Sequence, residues 1–262
     1  MISLTGLSGH SASGLNRIAA SGMRSWLALR YRVLGRRYNR LVLEHIDGVP
    51  LLVLPEVFNP VLLRTGAFMA RAITTVALPV APPGQRLRLL DLGTGSGVGA
   101  IFAARRGMEV VAVDINPEAA RCARLNVLLN RLETQVEVRQ GDLFEPVSNE
   151  RFDVILFNPP FYRGTPRSPL DHAWRGVDVF ERFVAGLAVH LRADGCALLV
   201  LSTDGDCGDL LTALAEAGWR IDVAAEKNLV NEVVRMYRVG SGEYGTEGNG
   251  LLSTDSGNGL NG

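Results

Sequence analysis

The segment Asp91-Leu92-Gly93-Thr94-Gly95-Ser96-Gly97 has the composition of a ligand-cradling turn. Glycines at alternate positions let a backbone turn sharply and approach a bound molecule closely. A helix starting just beyond would add free N–H groups and a positive dipole end. Two further acidic residues follow at intervals, Asp114 and Asp142. A second segment, Asn158-Pro159-Pro160-Phe161, suits a different task. Neither proline has an N–H, so the pair cannot continue a strand ladder and holds its carbonyls in fixed directions. An Asn carbonyl beside a rigid backbone carbonyl can accept both hydrogens of an NH₂ group, and Phe161 can stack on a planar one. Such a site works by orienting a nitrogen and needs no strong base.

These residues fall at the ends of predicted elements. Leu87–Leu92 reads as a strand buried on both faces, followed by a helix over Gly97–Arg106. Glu109–Asp114 reads as a strand, Pro117–Asn130 as a helix, Gln135–Arg139 and Phe152–Phe157 as strands. Asp178–His190 is a predicted helix, Cys196–Leu201 a strand, Cys207–Ala217 a helix, and Trp219–Ala224 with Glu232–Val239 the final strands. Strands alternating with helices predict a mostly parallel sheet covered on both faces. Upstream, Asp47-Gly48 between the apolar runs Leu41–Ile46 and Leu51–Leu54 signals a hairpin. Asn59-Pro60 is expected to open a helix running to about Leu78. The expected organisation is a flexible N-terminus over 1–22, an extension over 23–83 (Arg-rich helix, hairpin, helix), a catalytic domain over 84–240 and a disordered Gly-rich tail over 241–262.

Composition narrows the class. Of 262 residues, 47% are hydrophobic, enough for a large core, and 27 basic residues balance 27 acidic ones. That balance weighs against a protein built mainly to grip nucleic acid. Three cysteines without a C-x-x-C pair and four scattered histidines give no disulfide framework and no metal spacing. The most apolar stretch, Ala72–Pro83, is too short to span a bilayer. The expectation is a cytoplasmic protein with no membrane association and no metal.

The glycine loop admits two readings. As Gly95-Ser96-Gly97-Val98-Gly99-Ala100 it matches a dinucleotide-binding fingerprint, with Asp114 holding a ribose, as in a nicotinamide-dependent oxidoreductase. As Asp91 with Gly93, Gly95 and Gly97 it resembles motif I of class I S-adenosylmethionine-dependent methyltransferases. Their ligand carries an ammonium and a sulfonium in place of a pyrophosphate, and a carboxylate suits those cations. Asp114 and Asp142, each at a successive strand end, favour the second reading.

Asn158-Pro159-Pro160-Phe161 resembles the (Asn/Asp)-Pro-Pro-(Tyr/Phe) motif of amino-nitrogen methyltransferases. These include nucleic-acid exocyclic-amine enzymes and the HemK-like enzymes that methylate a glutamine amide. The stretch His172-Ala173-Trp174-Arg175-Gly176-Val177-Asp178 is similar to the segment after that motif in the short HemK-like branch, although Val179 replaces its usual glycine. The Pro-x-(Glu/Asp)-Asp-Thr segment of that branch corresponds here to Val57-Phe58-Asn59-Pro60 with Thr65-Gly66, without the acidic pair, leaving Phe58 and Thr65 as weak candidates.

The resemblance implies a Rossmann-like α/β fold, seven-stranded, of order 3-2-1-4-5-7-6 with the seventh strand antiparallel. It implies S-adenosyl-L-methionine as cofactor, its methionine part on Asp91, Gly93, Thr94, Gly95 and Gly97, its ribose on Asp114 beside Ile115, and its adenine on Asp142 and Leu143. Asn158, touching cofactor and acceptor alike, would orient the acceptor nitrogen with Pro159, Pro160 and Phe161. The implied acceptor is a protein glutamine, on a translation factor for example. RNA, DNA or a small natural product is the alternative. The Arg-rich helix 23–40 reads as a solvated accessory face.

Overall fold

A computed structural model describes residues 40–62, 64–160, 162–163, 175–176, 178–203, 207–229 and 232–241. The expected flexible N-terminus, Arg-rich helix 23–40 and Gly-rich tail lie outside the described residues, except Arg40 and Ser241 at their edges.

The chain begins with a hairpin, β1 (Val42–Ile46) and β2 (Val49–Val53), paired antiparallel. Its turn residues Asp47 and Gly48 both have positive φ, 48° and 80°, the conformation that Asp-Gly supplies. Helix α1 covers Thr65–Thr75. It starts five residues later than Asn59-Pro60 suggests. The Asn59 side chain accepts the backbone N–H groups of Val61 and Leu62, closing a separate turn, and Arg64 at φ 58° separates that turn from the helix.

Then follow β3 (Arg88–Leu92), α2 (Val98–Arg105), β4 (Glu109–Asp114), α3 (Pro117–Leu129), β5 (Val136–Gln140), β6 (Phe152–Phe157), the short pair β7 (Tyr162–Arg163) and β8 (Arg175–Gly176), α4 (Val179–His190), β9 (Leu191–Ser202), α5 (Cys207–Glu216), β10 (Arg220–Leu229) and β11 (Glu232–Gly240). The seven-stranded sheet has the order β10-β11-β9-β6-β3-β4-β5. Within it β11 runs antiparallel to both neighbours and the other pairs are parallel. This is the seven-stranded, mostly parallel α/β arrangement expected. β9 and β10 run longer than their apolar stretches, because ladder partners continue beyond the buried residues.

Alternate residues of each strand feed two cores. Leu89, Val110, Ala112, Val154, Leu156 and Leu198 pack with α1 and α2 on one face. Leu90, Val111, Val113, Ile155, Phe157 and Leu199 pack with α4 and α5 on the other. A parallel sheet buried on both faces leaves its carboxyl edge as the place for a ligand. β3, β4, β5 and β6 end in register there, with Leu92 opposite Val113 and Phe157, and Asp114 opposite Gln140. The residues singled out in the sequence are those that leave this edge. No helix among the described residues is long and apolar enough to cross a membrane.

Candidate functional site at the carboxyl edge of the sheet

The loop after β3 is built on three glycines, Gly93, Gly95 and Gly97, at φ 61°, 57° and 82°. These are left-handed conformations that other residues adopt only under strain. A Cβ on Gly97 would also sit 3.1 Å from the Ala123 backbone of α3, so the loop lies against that helix. Thr94 N–H donates to the Val113 carbonyl at 3.0 Å, tying the loop to β4.

Asp114 ends β4 and accepts two backbone hydrogen bonds, from Gly95 at 2.8 Å and Asn116 at 2.9 Å. The Asn116 side chain caps α3 and donates to the Glu56 carbonyl at 3.2 Å. Glu56 itself stands at φ 63°. Asp142 accepts a hydrogen bond from Arg182 of α4 at 2.7 Å. The neighbouring Leu143 has φ 47°. After β6, the Asn158 side-chain oxygen is buried and makes no hydrogen bond among the described residues. The Ser96 hydroxyl is buried and unpartnered as well.

These groups surround one cavity of about 280 Å³. Of the residues singled out in the sequence, Gly93, Thr94, Gly95, Asp114, Ile115, Asp142, Leu143, Asn158 and Pro160 line it. Phe58, a weaker candidate, lines it too, whereas Thr65 is buried and off the wall. Gly97 and Pro159 stand off the wall, and Phe161 lies outside the described residues, as do the His172–Trp174 and Val177 positions. Asp178, the acidic residue of the HemK-like stretch, lines it too, and Glu56, Asn116, Phe157 and Arg182 join the wall without a sequence signal that singled them out. Each is brought there by tertiary packing.

Asp91 takes its place below the glycine loop. It is 1% exposed and off the cavity wall, beneath the loop. Its carboxylate accepts the Thr94 hydroxyl at 2.6 Å and the Ala100 N–H at 2.9 Å, bracing the loop against the start of α2. A Cβ on Gly99 would come within 3.0 Å of it, so that glycine makes room for the carboxyl.

Among the described residues the cavity wall carries four carboxylates, Glu56, Asp114, Asp142 and Asp178, against one guanidinium, Arg182. That excess suits a cationic ligand better than a pyrophosphate and favours the methyltransferase reading of the glycine loop. The sequence pattern of the methyltransferase small domain family matches residues 70–228. The chain belongs to this methyltransferase family.

Two relatives and one solved structure illustrate the likeness. A Methanocaldococcus jannaschii protein named as an N5-glutamine methyltransferase is 27% identical over 189 residues, 69% of this chain and 89% of the relative. The ribosomal protein uL3 glutamine methyltransferase of Bradyrhizobium diazoefficiens is 37% identical over 122 residues, 41% of this chain. The chain spans only 38% of the length of that relative. The tRNA m1G37 methyltransferase of Methanocaldococcus jannaschii superposes with a TM-score of 0.52 at 19% identity, covering 76% of this chain and 54% of that one, a likeness of fold.

The protein is a class I methyltransferase, and its cofactor is S-adenosylmethionine. The residues present fit that molecule. Two buried oxygen atoms without partners, on Ser96 and Asn158, sit in a wall whose net charge is negative. The buried thiols of Cys122 and Cys196 are each pushed up to about 11 by desolvation and stay protonated, so the methyltransferase holds them as packing residues.

The buried Asp91 carboxyl is pushed from 3.8 up to about 7 by burial, with the charge of Asp114 adding to the rise and hydrogen bonds from Thr94 and Ala100 opposing it. A carboxyl with a raised folded pKa binds its proton more tightly in the folded chain. Its contribution to stability is complete below 3.8 and is lost as pH rises through about 7. Denaturation across this window is expected to show wild type losing a few kcal/mol relative to Asp91→Asn. Equal pH slopes for the two proteins would contradict this assignment.

Proposed function

We propose that this methyltransferase belongs to the HemK-like branch and transfers a methyl group to the side-chain amide nitrogen of a protein glutamine. The observation that carries the reading is Asn158, which lines the cavity and whose buried side-chain oxygen has no hydrogen-bond partner among the described residues. A buried acceptor left empty costs on the order of 1–3 kcal/mol unless a ligand completes it. A planar N–H₂ group is the ligand that does so.

In this reading Asn158 and the Pro159 carbonyl accept the two hydrogens of the acceptor nitrogen. Two successive prolines offer no N–H of their own, so nothing there competes for the nitrogen lone pair. Phe161 packs on the planar group. Bound S-adenosylmethionine supplies an electrophilic methyl on a sulfonium. Gly93, Thr94, Gly95 and Gly97 shape the seat of its methionine part, with Asp91 bracing them from below. Asp114 and Ile115 receive the ribose, Asp142 and Leu143 the adenine. Arg182 holds the Asp142 carboxylate in place.

The relatives that methylate glutamine support a protein acceptor, and one that acts on a ribosomal protein supports a cytoplasmic partner from the translation machinery. The test is transfer of label from methyl-tritiated S-adenosylmethionine into a host lysate, split between protease and nuclease. Label released by protease is the expected result. Label released by nuclease would move the acceptor to RNA or DNA. Label in neither would point to a small molecule.

A further inference from the structure

Asn126 lies on α3, is fully buried and is absent from the cavity wall. Its side-chain oxygen accepts the Leu52 N–H of β2 at 2.6 Å. Its amide nitrogen donates to the Leu52 carbonyl at 2.7 Å and to the Ser96 carbonyl at 2.8 Å. One side chain thus serves both backbone groups of a hairpin residue, as a neighbouring strand would, and also grips the middle of the glycine loop.

The neighbouring turns of α3 extend the first half of this arrangement only. Cys122, four residues before, places its sulfur 3.2 Å from the Leu52 carbonyl. Asn130, four residues after, donates to the Pro50 carbonyl at 3.0 Å. Residues spaced by four share one helix face, so 122, 126 and 130 form a stripe along the free edge of β2. Of the three, Asn126 alone is hydrogen-bonded to the loop. Its target, Ser96, sits between two left-handed glycines and carries an unpartnered hydroxyl on the cavity wall. A peptide flanked by two glycines turns easily; its N–H, on Gly97, donates to the Thr94 carbonyl at 2.9 Å, and Asn126 holds its carbonyl end.

We propose that Asn126 is a positioning residue for the cofactor loop: it fixes the Ser96 peptide and couples the order of the N-terminal hairpin to cofactor affinity. The proposal rests on the assignment of the cavity to S-adenosylmethionine. Binding of S-adenosylhomocysteine to the wild-type protein checks that assignment first, and absence of binding would remove both.

Given binding, Asn126→Leu keeps the branched outline, with bulkier ends, and removes the side-chain hydrogen bonds. The KM for S-adenosylmethionine is expected to rise roughly tenfold, with kcat at saturation and the KM of the acceptor within about twofold. Asn130→Ala loses a hairpin contact without touching the loop, so its Tm falls while the KM for S-adenosylmethionine stays put. If Asn126→Leu lowers Tm and leaves that KM unchanged, the residue is structural only and the proposal fails. Should that variant not fold, the wild-type protein carries the test. Exchange of the Leu52 amide hydrogen is expected to slow several-fold when S-adenosylhomocysteine binds, and unchanged exchange would overturn the coupling.

Discussion

Asn158→Ala is expected to lower kcat by about 100-fold while leaving the dissociation constant for S-adenosylmethionine within about twofold, the cost typical of losing one well-placed polar contact at a reacting centre. The reasoning starts from burial. The Asn158 oxygen is withdrawn from water and makes no hydrogen bond among the described residues, which leaves it to the acceptor. Alanine removes the oxygen without adding bulk. The acceptor nitrogen then keeps the Pro159 carbonyl as its one fixed partner, and its lone pair samples directions away from the methyl group. Single-turnover rates and calorimetric titration with S-adenosylhomocysteine separate the two effects. A parallel loss of affinity and rate would instead make Asn158 chiefly a cofactor residue.

Asp114→Ala should show the opposite split. Affinity for S-adenosylmethionine is expected to fall roughly 30- to 100-fold, with kcat at saturating cofactor much less affected. The carboxylate does two jobs at the end of β4. It presents oxygen atoms to the cavity as the proposed ribose acceptor. It also holds the Gly95 and Asn116 N–H groups at 2.8 and 2.9 Å, so its removal frees the loop and the start of α3 together. Asp114→Asn keeps acceptor oxygen and should recover part of the loss. Titration with S-adenosylhomocysteine reads this directly, and unchanged affinity in the alanine variant would end the assignment.

Much of this geometry was legible before the structure because it depends on local chemistry. Asp47-Gly48 announces a hairpin because few other pairs take two positive φ values in succession. The alternate glycines at 93, 95 and 97 announce a loop for the same reason. Continuous apolar runs bounded by turn residues located β4 and β6, since strands buried on both faces leave no other pattern. What escaped was set by tertiary packing. Asn59-Pro60 looks like a helix start, yet Asn59 caps a turn that ends before α1. Asp91 belongs to a motif associated with the ligand, but whether a carboxyl points into a cavity or beneath a loop depends on Gly99 making room for it. The Arg182–Asp142 pair joins residues 40 positions apart. Asn126, an ordinary polar residue within a helix, gives no sign that a strand edge and a loop meet at its amide.

The central claim is that the methyl group goes to an amide nitrogen, and the chemistry of the product tests it most directly. After transfer from methyl-tritiated S-adenosylmethionine, the labelled acceptor is hydrolysed in strong acid. An N-methylated side-chain amide breaks at the bond between carbonyl and nitrogen, so the expected result is label released as methylammonium, which becomes volatile methylamine once the hydrolysate is made alkaline. Label retained on a nucleobase, or released as methanol from an ester, would contradict it.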